Sequence, residues 1–305
     1  MSRIHEALLK AQREHGIQGE TLDVENLELK GRENHVAISN GDVAIPIATT
    51  ARDEAPGSVT AEGEPLSFRQ SVWRPDKERL VFMKPEFSRG IEEFRTLRSK
   101  LLRERTQRYL KTILITGATP GEGKTFVAAN LALAMSRHPG SRVLMIDADL
   151  RRSNLHTVFG MEATPGLSGY LSGKLDETAI VRQTPEPQLC VVTAGKYSDS
   201  PTELLHSSRM QQFIQNMGRH FDWIFIDSPP ATVVADSAVL SEICDGVVLV
   251  IAPGTPMTAA QKCRKEIGQK TLGVVLNRAK AHAGYYDYYE HQEKTTKRQA
   301  QADAK

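Results

Sequence analysis

A doubly wound, mostly parallel α/β sheet with a phosphate-binding loop behind its first long strand is the fold class the sequence predicts. Three observations predict it. From residue 112 onward, short apolar runs alternate with stretches of helical periodicity, the texture of strands buried on both faces between crossover helices. The first run passes into a glycine-rich stretch that ends in Gly-Lys-Thr. Two later runs end in aspartate, at the carboxyl edge where such sheets hold their ligands.

Taken in order, residues 2–14 read as a short amphipathic helix. Ile4, Ala7, Leu8 and Ala11 share one face and Ser2 caps it. That helix packs on its own domain or docks on a partner. From about Gly16 to about Asp76 the periodicity fails and Gly, Pro, Ser, Thr, Asp and Glu dominate, as in a disordered linker. Residues 90–108 carry a helical stripe of Ile91, Phe94, Leu97, Leu101 and Leu102 among charges. Apolar runs at 112–116, 142–147, 189–195, 223–227, 246–252 and 272–277 predict strands. Patterns at 123–137, 201–219, 236–243 and 256–269 predict helices between them. The expected organisation is an N-terminal helix (1–16), a linker (17–79), a catalytic domain (80–278) and a flexible tail (279–305).

Net charge is +2 and hydrophobic residues make up 40% of the chain. No basic excess points to nucleic acid. The three cysteines, Cys190, Cys244 and Cys263, have no metal or redox spacing, which suits a reduced cytosolic compartment. The opening MSRIHEALLK lacks the apolar core of a signal peptide, and no apolar run approaches a membrane span.

The stretch from Ala118 to Thr125 fits a relaxed Walker A loop with Ala at its first position. Gly121 and Gly123 let the backbone curl so that its N–H groups face phosphate, and the following helix N-terminus adds positive potential. Lys124 would reach the terminal phosphates and Thr125 would place a hydroxyl on Mg²⁺. The expected ATP contacts are Thr119, Pro120, Gly121, Glu122, Gly123, Lys124, Thr125 and Phe126. Asp147, Asp149 and Asp227 end or follow buried runs, where a carboxylate is costly unless it is paired or metal-bound. Asp227 reads as the Walker B residue. Asp147 and Asp149 share metal and proton-accepting roles in an order the sequence leaves open, with Thr125, Asp149 and Asp227 as the expected metal ligands. Arg151 and Arg152 either neutralise transferring phosphate or lie on the surface.

Together, TPGEGKT, LMIDADLRR, FIDSPP, GLSGYL, PTELL, GVVLN and the terminal YYDYY resemble the bacterial tyrosine kinases of capsule and exopolysaccharide synthesis, CpsD/CapB type. That family has a P-loop fold of the deviant Walker A, ParA/MinD-like kind. The resemblance implies ATP- and Mg²⁺-dependent phosphorylation of the tail tyrosines Tyr285, Tyr286, Tyr288 and Tyr289. It implies Asn277 as a nucleotide-base contact, and Glu92, Arg95 and Arg98 as a ring-forming homo-oligomer interface. It also implies a separate membrane chain-length-determinant activator, a cognate tyrosine phosphatase and recruitment to the inner face of the cytoplasmic membrane. Two positions depart from the family, Ser153 for Pro and Ser200-Pro201 for Asn-Pro, and neither is expected to touch the chemistry. The rival readings are a ParA/MinD-type ATPase switch and a non-catalytic ATP-binding scaffold. The first lacks its signature lysine, since Thr119 stands there. The second has no use for intact Lys124, Asp147, Asp149 and Asp227.

Overall fold

Continuous Val, Ile and Leu runs bury both faces of a strand, so they settle in the middle of a sheet with helices on either side. The computed structural model describes residues 68–84 and 89–279. The helix expected at 2–14, most of the linker and the tail tyrosines lie outside them. The strands are β1 (Arg69–Gln70), β2 (Thr112–Gly117), β3 (Val143–Asp147), β4 (Arg182–Gln183), β5 (Leu189–Val192), β6 (Trp223–Asp227), β7 (Gly246–Ile251) and β8 (Thr271–Leu276). They form one sheet in the order β1-β4-β5-β3-β6-β2-β7-β8. All the expected runs pair in parallel, and only the short β4 runs antiparallel to β5.

The pleat sorts side chains by parity. Leu114, Leu144, Ile146, Ile226 and Leu249 enter the core on one face. Ile113, Ile115, Met145, Phe225 and Val250 enter the core on the other. Burying each such side chain contributes about 1.5–3 kcal/mol.

The helices are α1 (Arg89–Arg105), α2 (Lys124–Ser136), α3 (Leu155–Phe159), α4 (Leu167–Leu171), α5 (Glu177–Ile180), α6 (Pro201–Leu205), α7 (Ser208–Met217), α8 (Asp236–Ile243) and α9 (Met257–Ile267). The sequence of α2, KTFVAANLALAMS, has almost no polar face, so it needs cover on every side. It lies between the sheet and α1, with the Phe94 and Phe126 rings 5.8 Å apart. Asn130, fully buried in α2, binds the segment ahead of α1. Its Oδ1 accepts from the Val81 amide at 2.8 Å, and its Nδ2 donates to the Arg79 carbonyl at 2.8 Å.

Several expectations need correction. The linker was expected to run to residue 79, but the chain packs on the domain from Phe68 onward. Phe68 stacks on Phe221 at 5.7 Å, Trp73 lies 5.3 Å from Phe159, and Leu80 is fully buried. Scattered aromatics with no period find their partners only across the fold. The helix expected over 201–219 is two helices, because Ser207 is extended and turns its hydroxyl back to the Leu204 carbonyl. The short helices α3, α4 and α5 fill 155–180, where the sequence shows no long period.

Gly160 is the closest backbone approach in this region. Its φ is +60°, and an added Cβ would lie 1.7 Å from the Arg74 carbonyl oxygen. Gly160→Ala is expected to cost about 2–4 kcal/mol, from left-handed strain plus steric displacement. Urea unfolding checks this, with a change under 1 kcal/mol counting against the close approach of Arg74 to Gly160.

Candidate active site

The sheet order places β6 between β3 and β2, so three carboxyl ends converge. In register, Asp227 lies beside Asp147 on one side and Ile115 on the other. The loop after β2 therefore curls over the two aspartates. A cleft of about 700 Å³ opens at this edge. Pro120, Gly121, Gly123, Lys124, Thr125, Phe126, Asp149 and Asn277 line it. Asp147, Asp227, Thr119 and the Glu122 side chain lie behind that wall.

The loop's geometry explains its glycines. Gly121 and Gly123 have φ of +82° and +89°, which side-chain-bearing residues resist. At Gly123 a Cβ would also strike the Asn277 amide at 2.1 Å. Asn277 donates from Nδ2 to the Glu122 carbonyl at 2.8 Å, so the end of β8 braces the loop. Gly117 leaves room for the Glu122 carboxylate, whose Oε2 would lie 2.3 Å from an added Cβ. Glu122 is a buried strut. It accepts from the Thr119 amide and from the Thr255 hydroxyl, each at 2.9 Å.

Lys124 donates to the Thr119 carbonyl at 2.8 Å and stands 3.9 Å from Glu122. Burial pulls its ammonium below the usual lysine range, while Glu122, Asp227 and Asp149 oppose that fall. The ammonium is held by the loop's own oxygens, 2.8–3.9 Å away.

The three aspartates differ sharply. Asp147 is fully buried and saturated. It accepts from the Asp149 amide (3.1 Å), the Ser153 hydroxyl (3.0 Å) and the Leu155 amide (3.1 Å). Burial pushes its carboxyl up to about 7, against those hydrogen bonds. Ser153, read from sequence as a departure without consequence for the chemistry, thus holds a site carboxylate. Asp227 is also buried, and its Oδ1 has no hydrogen-bond partner. Burial and then repulsion from Asp147 push it well above the usual carboxylate range, opposed by Thr125 and Lys124. Asp149 is half-buried and faces the cleft, with one oxygen accepting from the Arg151 and Arg152 amides at 3.2 and 2.8 Å. Of the three, only Asp149 lines the cleft.

Arg151 is neither a free cation nor a loose surface residue. Its guanidinium grips Asp236, the fully buried first residue of α8. Arg152 stays exposed at the cleft mouth. Sequence reasoning did not single out Asp236, Arg79, Asn154 or Arg278, the last three of which line the cleft. Asp236 carried a readable signal, an acid opening an apolar helix right after the Walker B loop. Arg79 carried none, since its segment looked like linker. On α1 the expected trio divides. Glu92 pairs with Arg95, while Arg98 turns inward and donates to the Ala134 carbonyl of α2 at 2.8 Å.

Comparison with known proteins agrees with this geometry. The CobQ/CobB/MinD/ParA nucleotide binding domain family matches residues 113–301. Tyrosine-protein kinase YwqD of Bacillus subtilis is 35% identical over 229 residues, covering 73% of this chain and 96% of its own. The crystal structure of the chimerical protein CapA2B2 superposes with a TM-score of 0.64 at 29% identity, covering 71% of this chain and 94% of that one. The kinase domain of the Escherichia coli tyrosine kinase ETK superposes with a TM-score of 0.57 at 32% identity, covering 64% and 79%.

Proposed function

The chain belongs to the bacterial tyrosine-protein kinases, and from that premise we propose that it moves the γ-phosphoryl group of ATP to tyrosine hydroxyls, chiefly Tyr285, Tyr286, Tyr288 and Tyr289 of its own tail. The observation that carries this reading is the meeting of Lys124, Thr125 and Asp149 on one cleft, with Asp227 directly behind.

Each residue has a task. The amides of residues 121–126 cradle the phosphates, and Lys124 leaves the Thr119 carbonyl to reach the terminal ones. Asn277, which lines the cleft, would contact the base. Asp149 accepts the tyrosine proton as the oxygen attacks phosphorus and the bond to ADP breaks. A tyrosine with a pKa of about 10 needs such an acceptor near neutral pH. Asp147, buried and saturated, shapes the turn that presents Asp149. The donor set, all oxygen, fits Mg²⁺. Thr125, the partnerless Asp227 oxygen and Asp149 would hold it, oxygen donors of the kind this ion takes. When bound, the ion neutralises phosphate charge.

Arg278 lines the cleft, so the tail starts at its mouth. From there to Tyr289 the chain spans at most roughly 40 Å, enough to enter a neighbouring subunit. We favour transfer between subunits of a homo-oligomer. Glu92 and Arg95 remain available as its contact, while Arg98 braces α1 on its own domain. Among the described residues no helix is long and apolar enough to cross a membrane. Regulation of capsule or exopolysaccharide assembly would then need a membrane chain-length-determinant protein as activator and a phosphatase to reset the tail.

Mass spectrometry of the purified full chain with and without ATP tests the reading. Phosphate is expected on residues 285–289. Hydrolysis of ATP with no phosphotyrosine anywhere on the chain would overturn it.

A further inference from the structure

Asp236 is fully buried, and a buried carboxylate is costly unless it is tightly partnered. Its partner comes from the loop that carries Asp149. Arg151 Nε donates to Asp236 Oδ2 at 2.9 Å and Nη2 donates to Oδ1 at 3.2 Å. Thr202, in α6, closes the set. Its hydroxyl donates to Asp236 and accepts from Arg151 Nη2 at 2.8 Å. Such a fork needs guanidinium geometry; a lysine ammonium offers only a point charge. Backbone amides do the rest. Arg151 and Arg152 direct their N–H groups onto Asp149 Oδ1. The side chain of Arg151 is thus anchored at its tip while its own amide aims the proposed proton acceptor.

We propose that Asp236 is a positioning residue for phosphoryl transfer, acting through Arg151 and assisted by Thr202, which together hold the 149–152 turn so that Asp149 faces the cleft. This inference rests on the assignment of Asp149 given above. It distinguishes Asp236 from a plain staple between α8 and α6. A staple would affect folding and leave the chemical step alone.

The experiment is steady-state kinetics of the full chain with ATP and a Glu/Tyr copolymer as acceptor, alongside melting temperatures. Asp236→Asn and Arg151→Lys are each expected to lower kcat by about 10–100-fold, with KM for ATP moving less than about threefold. In an Asp149→Asn background the same substitutions should change kcat by less than about twofold, because the group they position is gone. An undiminished fall in that background overturns the proposal. So does unchanged kcat in Asp236→Asn with only a lowered melting temperature. If Asp236→Asn does not fold, Arg151→Lys, whose side chain is 37% exposed, carries the same comparison. Wild-type kcat in Asp149→Asn alone would instead remove the proton-acceptor assignment, and this inference with it.

Discussion

Asp227→Asn is expected to abolish tyrosine phosphorylation and, at the same time, to raise the melting temperature of the nucleotide-free protein. Both effects come from one atom. Asp227 Oδ1 is buried with no donor, beside Asp147 in the next strand. Leaving such a group unsatisfied costs about 1–3 kcal/mol, so an amide of equal size should recover some of that. The gain depends on pH. The folded carboxyl is pushed well above its usual range, so the folded chain holds its proton more tightly than the unfolded chain does. Wild-type stability from this group is therefore full below the ordinary carboxylate range and lost as pH rises through the raised folded value. Below the ordinary carboxylate range, where Asp227 is protonated whether folded or unfolded, it resembles Asn and the two proteins should melt close together. As pH rises through the raised folded value the variant should take the lead. Activity should fall about 10²–10⁴-fold, because the oxygen proposed to hold Mg²⁺ against the phosphates is lost to an amide. Thermal melts across pH, with label transfer from γ-labelled ATP, check both halves. A variant that loses stability and activity together would make Asp227 an ordinary structural acid.

Lys124→Met carries the second large effect and also tests the direction of transfer. The ammonium is buried and rests on the Thr119 carbonyl at 2.8 Å. Methionine replaces the apolar stem and removes a charge that burial already disfavours. Folding should therefore be unharmed while phosphoryl transfer drops about 10²–10³-fold. The inactive chain still has its tail. Mixed with an active chain lacking residues 280–305, it should acquire phosphate on Tyr285, Tyr286, Tyr288 and Tyr289. No label on the Lys124→Met chain would restrict transfer to the chain's own tail. Full activity of Lys124→Met alone would end the assignment of its role.

Sequence alone determined the sheet and its loop, for a reason that is local. Strands covered on both sides must be apolar throughout, so TILIT, VLMID and GVVLVI announce themselves without reference to anything distant. The left-handed turns at Gly121 and Gly123 demand glycine, and an aspartate closing a buried run is costly enough to mark a site. Tertiary structure decided what depends on residues far apart in the chain. Asp147 and Asp149 look alike in LMIDADLRR. The fold separates them, because Ser153 and Leu155 saturate the first while the second turns to the cleft. Arg151 reads as a free cation until Asp236, 85 residues later, takes its guanidinium. Arg98 reads as a surface contact until α1 lies on α2 and the Ala134 carbonyl claims it. Residues 68–79 read as linker because their aromatics have no period, and their burial depends on Phe159, Phe221 and Asn130. Local sequence records conformational preference and periodic burial. Which of two like charges is desolvated, and which cation finds a partner, is settled by pairings that exist only once the chain has folded.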